Sequence, residues 1–358
     1  NLRQELRPNV FHIHFIANAI FPSVETGAKV FYCLYILLLV FSIYLFIKAV
    51  GGNESFALLG PLLIYNVNSS YGFMAMSLSL PLVVCFLLLA AKVYEGDKWW
   101  QYCLLSLGLT LFFFIHIIST GFVLFILGLH LLWAQRSSFK HLVCCSLTLV
   151  PATALSFYWY ITRDFAYKVV AGNVSRGMWR QSFVSDIVSR FLRWPFVDFV
   201  EVVGIPLTLL ICGLLILALL KNLRATRETQ GQTLRSKGLE LIIPFIGASF
   251  LWHFLSPHKI SGEVWISPRF SSFFLLGLLV LLSRMKIGAT PKGSKIFFGF
   301  LALLHLVSVF HYFQTFQAAC HGFDASLFPK GGKVRLAGMM INDTVRVLPI
   351  FLHYADYY

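Results

Sequence analysis

Residues Leu62–Leu82 read "LLIYNVNSSYGFMAMSLSLPL". Both flanks are apolar, and between them lie Asn66, Asn68, Ser69, Ser70, Tyr71 and Gly72. Amides and hydroxyls are costly in hydrocarbon unless they are paired. The break therefore marks a place where the chain leaves the apolar phase or lines a polar site. The surrounding sequence says what that phase is. The chain has 358 residues, 58% hydrophobic and 12% charged, with a mean hydropathy of +0.76. A soluble domain carries about 25% charged residues. Apolar runs recur at 28–49, 56–66, 73–91, 99–117, 121–134, 139–162, 202–221, 239–256, 270–284 and 295–313. This predicts an all-α polytopic membrane protein with about ten transmembrane or half-membrane helices. The runs are continuous rather than alternating, which excludes a β-barrel.

The net charge of +14 fits this class without a nucleic-acid partner. Much of it lies in short loops, the positive-inside pattern, and no Lys/Arg run has the form of a nucleic-acid patch. The segment 221–238, with Lys221, Arg224, Arg227, Arg235 and Lys237, is assigned to the cytoplasm. So is 284–295, with Arg284, Lys286, Lys292 and Lys295. Alternation then places 92–98 and 135–141 on the same side. It places 1–27, 66–72, 116–120, 163–201, 257–269 and the tail from about 314 on the outer face. Basic outer segments also suit anionic headgroups of the lipid bilayer. Six of the seven Cys lie inside apolar runs and read as packing residues.

The pairs 56–91 and 99–134 are each too long to be one span: 36 helical residues reach about 54 Å, against about 30 Å of hydrocarbon. Each is expected to be a tight helical hairpin. Their turns share a form, Ser70-Tyr71-Gly72-Phe73 and Ser119-Thr120-Gly121-Phe122. Segment 180–194, "RQSFVSDIVSRFLRW", gathers its apolar residues on one helical face between Trp179 and Trp194. It is expected to be an amphipathic helix at the interface of a long outer loop. The transmembrane domain is expected over 1–313, with 314–358 beginning an extracytoplasmic segment. The chain opens on Asn1 and ends in "HYADYY", so it is expected to be a fragment at both ends.

Candidate site residues cluster on the outer face. Ser70, Ser119 and Ser267 each precede a Phe by three residues, and each is expected to cap a helix whose N-terminus points outward. Such ends favour an anion. Arg269 stands at the start of a span, where a charge is costly and a guanidinium grips phosphate in two places. Lys259 and Glu263 share its loop. His116 sits where "LFFFIH" meets the second turn, placed to hydrogen-bond a polar ligand. His14 alternates with His12, a spacing that makes no metal pair, and Asn18 shares its face. Asn68 and Tyr71 belong to the first turn. Each also has a plainer reading, as a cap, a headgroup contact or a buried histidine bonded to a carbonyl. Carboxylates on the outer segments, from Glu5 to Asp343, carry no catalytic motif. Neither a metal site nor a cofactor fingerprint is present, although a divalent metal stays open.

Taken in order, "RPNVFHIHFIANAIFP", "LLIYNVNSSYGFMAMSLSLPL", "FFFIHIISTGFVLFILGLHLL" and "WISPRFSSFFLLGLLVLL" resemble a divergent bacterial branch of the GT-C superfold of membrane glycosyltransferases. The motifs that carry the likeness are Asn68–Gly72–Phe73, His116–Gly121–Phe122 and Arg269–Phe270. "VRVLPIFLHYADYY" is similar to the start of the extracytoplasmic domain in such proteins. The resemblance implies a bacterial plasma-membrane enzyme. It would move a sugar from a polyprenyl-phosphate-linked donor to an acceptor at the non-cytoplasmic face. It also implies a catalytic carboxylate in the first outer loop, expected upstream of Asn1. Arg269, His116, Asn68, Tyr71, Ser119, Lys259, Glu263 and His14 would then be substrate-binding. Two other readings stand beside it, a transporter or flippase of a lipid or small solute and a non-catalytic scaffold subunit. Against a transporter, the sequence offers no polar set on the cytoplasmic side to match the outer one.

Overall fold

The computed structural model describes residues 24–65, 74–96, 98–134, 139–162, 213, 239–255, 259–260, 263–264, 269–284 and 291–319. They form helices almost throughout: α1 (Val24–Ala49), a 3-10 helix (Glu54–Leu63), α2 (Met74–Tyr94), α3 (Trp99–Ile115), α4 (Ile117–Ala134), α5 (Phe139–Leu147), α6 (Val150–Thr162), α7 (Leu239–Phe250), a π turn (Leu251–Leu255), α8 (Ser271–Arg284) and α9 (Pro291–Ala319). A two-residue antiparallel pair, β1 (Lys259–Ile260) and β2 (Glu263–Val264), precedes α8.

Three stretches are long and apolar enough to cross a membrane: Val30–Ala49, Ala75–Tyr94 and Leu142–Trp159. Among the described residues the other apolar helices are shorter, so about ten transmembrane or half-membrane helices are not confirmed as ten full spans. Local chemistry cuts them. Pro61, with no N–H to give, sits in the 3-10 helix, so 56–66 is not an α-helical arm of a hairpin. The 3-10 helix and α2 each pack on α1 instead. Between α5 and α6 the chain tightens to three-residue bonds, Thr148 N–H to the Cys145 carbonyl and Leu149 N–H to that of Ser146. Pro151 follows, so 139–162 is a kinked helix rather than a straight one. The run expected at 239–256 ends in the π turn. Helix α9 continues to Ala319, past the domain boundary expected at 313. Segments 180–194 and 202–221 lie outside the described residues, apart from Gly213.

The second hairpin, 99–134, forms as expected. Its arms are α3 and α4, with α2 alongside. Phe86 on α2 meets Phe112 on α3 at 5.1 Å between ring centroids, and a Cβ on Gly108 would strike the Phe86 ring. Small residues allow such close approach in lipid.

Helix α1 ends in a Schellman motif. Gly51 N–H bonds the Lys48 carbonyl at 3.1 Å and Gly52 N–H that of Ile47 at 2.8 Å. Gly51 has φ 70°, which a side chain would resist. Asn53 then caps the 3-10 helix, its side chain accepting from Ser55 N–H at 3.0 Å. Its own N–H donates to the Ser283 carbonyl at 2.7 Å, tying this turn to the end of α8.

Packing closes a ring, in the order α1, α2, α4, α7, α8, the 3-10 helix and back to α1. Phe46 of α1 and Phe245 of α7 meet at 5.5 Å within it. Most of α8 is buried. Helix α9 packs on the 3-10 helix through Phe298, which faces Phe56 at 4.5 Å. Its remaining face, including Ile296, Phe300, Leu303, Val307 and Phe310, is exposed and apolar, as lipid contact requires.

Candidate functional site

His116 alone separates α3 from α4, with extended backbone at φ −160°, ψ 106°. That conformation is the one a helix cap adopts. Its Nδ1 accepts the backbone N–H of Ser119 at 3.2 Å, and its carbonyl accepts the N–H of Thr120 at 3.0 Å. The cap of α4 is therefore His116, and Ser119 is three residues inside the helix. This corrects the expectation that Ser119 caps it. A ring nitrogen does here what a hydroxyl or carboxylate usually does. Thr120 adds a bond from Oγ1 to the same carbonyl at 3.0 Å.

Ser119 instead becomes a hub. Its Oγ lies 2.9 Å from His116 Nδ1 and 2.6 Å from Ser79 Oγ on α2. It also lies 3.1 Å from the sulfur of Met76. Ser79 Oγ in turn donates to the Met76 carbonyl at 2.6 Å. Ser79, Ser119 and Thr120 are fully buried, and His116 is 4% exposed. Buried hydroxyls need partners, and these find each other across two helices.

Arg269 lies two residues before α8. It is 7% exposed, and its charge acts electrostatically on His116. Aromatic packing fixes the approach. Phe122 of α4 lies 5.1 Å from Phe270 and 4.9 Å from Phe273, ring centroid to centroid. Trp252 of the π turn packs on Phe270 at 5.0 Å, and His253 stacks on Phe274 at 5.7 Å. A π turn widens a helix locally and recurs at functional sites. Here it turns two consecutive rings, Trp252 and His253, toward α8.

Of the residues singled out in the sequence, the structure therefore brings together His116, Ser119 and Arg269. Lys259 and Glu263 sit on the β pair between the π turn and α8, Lys259 opposite Val264 and Glu263 opposite Ile260. His14, Asn68 and Tyr71 lie outside the described residues. Ser79, Met76, Thr120, Trp252 and His253 escaped the sequence reading. Ser79 sits inside the apolar run "SLSLPL" beside Ser77, where nothing in the sequence tells one hydroxyl from the other.

A second polar cluster stands at the other end of α2 and α4. Tyr94 Oη lies 3.0 Å from Thr148 Oγ1, and the Tyr94 ring stacks over His130 at 6.3 Å. All three residues are buried. This is the end that the basic loops assign to the cytoplasm. The sequence offered no polar set at that end to match the outer one; the structure places these three buried side chains there.

No family model, curated protein or solved structure matches the chain.

Proposed function

We propose that this chain is a membrane glycosyltransferase. Its reaction moves a sugar from a polyprenyl-phosphate-linked donor to an acceptor at the non-cytoplasmic face. The observation that supports this reading is that His116, bonded to Ser119, and Arg269, whose charge acts on His116, are all buried at one end of an apolar helical ring. A buried guanidinium stabilises charge that develops on a phosphate leaving group, because water does not screen it there. His116 supplies a further polar contact. Deprotonation of the acceptor hydroxyl is assigned to no residue of this chain. The test is transfer from a polyprenyl-phosphate sugar by the full protein in lipid, wild type against Arg269→Ala. Loss of transfer with insertion and folding intact supports the assignment, and unchanged transfer removes it.

A transporter or flippase is the second reading, and the Tyr94–Thr148–His130 cluster favours it. Alternating access needs polar groups reachable from both ends. Movement of a lipid-linked sugar across vesicles without any transfer would select this reading.

A further inference from the structure

The tautomer of His116 is written into the helix cap. Hydroxyl protons rotate to suit their neighbours, but a backbone N–H does not. The Ser119 N–H points at Nδ1, so Nδ1 presents its lone pair there. In the neutral ring the proton then belongs to Nε2. The two hydroxyls adapt to this, Ser119 lying against Nδ1 and Ser79 lying against both Ser119 and the Met76 carbonyl. Among the described residues nothing bonds Nε2. Both hydrogen bonds of the ring are made by Nδ1, and Nε2–H is left for something else.

We infer that His116 serves this site as a hydrogen-bond donor through Nε2, toward an anionic oxygen, and not as a general base. Ser119 and Ser79 are positioning residues that hold the ring in that state. A base at this position would need a lone pair on the ring nitrogen that the cap leaves unbonded, and the cap takes it away. The donor and the Arg269 cation select an acceptor-rich, negatively charged group. That ligand half rests on the glycosyl-transfer reading, whereas the tautomer does not.

The experiment is nitrogen NMR on the full protein, labelled with ¹⁵N-histidine in lipid nanodiscs, with His116 assigned through His116→Gln. The expected spectrum has Nε2 protonated and Nδ1 unprotonated. A proton on Nδ1 overturns the inference, whatever the enzyme does. Decyl phosphate is then added as the probe. A shift of the Nε2 resonance that Arg269→Gln abolishes supports the donor role. A correct tautomer with no response to decyl phosphate overturns the ligand half and leaves the cap intact. Ser79→Ala, which removes a hydroxyl that does not touch the ring, is expected to move the Nδ1 resonance and weaken the phosphate response. Ser79→Thr is expected to restore both. A silent Ser79→Ala removes Ser79 from the positioning role, and Ser119→Ala provides the same reading one bond nearer.

Discussion

Ser79 on α2 and Ser119 on α4 stand 40 residues apart in the chain, yet their hydroxyl oxygens meet at 2.6 Å inside the bundle. Neither hydroxyl is reachable by water. In an apolar surround each depends on the other, and the pair ties the helix after the first turn to the helix after the second.

Ser79→Ala and Ser119→Ala are each expected to destabilise the fold by about 1–3 kcal/mol, since each leaves a buried partner short of a bond. Removing both takes away the need along with the partner. The double variant is therefore expected to be less destabilised than the sum of the singles, by about 0.5–3 kcal/mol of coupling. Unfolding in mixed micelles by denaturant measures all four corners of the cycle. Strict additivity would mean that the two hydroxyls do not interact.

Phe122 touches Phe245, Trp252, Phe270 and Phe273, and so joins α4 to α7, the π turn and α8. Phe122→Ala is expected to cost about 3–5 kcal/mol through the cavity it opens. Phe125, on the same helix but 39% exposed, is the control. Its replacement by Leu is expected to change the same unfolding midpoint little.

At the end of α1 two adjacent glycines differ in what they tolerate. A Cβ on Gly51 meets nothing within 4 Å, but the residue has φ 70°. Gly51→Ala is expected to cost about 1–2 kcal/mol from backbone strain alone. A Cβ on Gly52 runs into the Ser283 side chain and approaches Ile47 Cγ2 at 3.1 Å. Gly52→Ala is expected to cost about 1–3 kcal/mol by overpacking. Adding Ser283→Gly to Gly52→Ala is expected to recover stability, while adding it to Gly51→Ala is not. Thermal melts of the four variants decide between strain and crowding.

His305 lies 7% exposed on α9, on the same side as Phe298 and Ala302. Its Nε2 has no hydrogen-bond partner among the described residues. An unsatisfied buried donor or acceptor destabilises, and an apolar group of similar volume does not carry that cost. His305→Leu is expected to raise stability by about 1–2 kcal/mol. A drop in the unfolding midpoint would show that Nε2 is engaged when the protein is in a bilayer.

Several features are legible in the sequence. Composition alone announced apolar helices, and hydrocarbon thickness alone showed that 99–134 must fold back on itself. His116 and Arg269 stood out because a polar group beside an apolar run is conspicuous. The capping role was misassigned because Ser is the commoner cap. Nothing in "IHIISTGF" says that the ring nitrogen reaches the third N–H before the hydroxyl does. That depends on the extended backbone at His116, which the packing of α3 against α4 sets. Which apolar runs are full spans and which are shorter helices was not legible for a related reason. An apolar run does not reveal where Pro61, Pro151 or a π turn will interrupt it.

What the residues dictate unaided is therefore the class of molecule and the polar and charged groups that stand out against an apolar background. These follow from transfer of side chains between water and hydrocarbon, which is a local property. The tertiary structure decided which residues meet. Helices that are apolar nearly all round carry no stripe to fix their rotation about their own axes. Whether Ser79 faces Ser119 or lipid is set by ring packing such as that of Phe122 between Phe270 and Phe273. The same packing holds Phe270, and with it the neighbouring Arg269, against the helix that His116 caps.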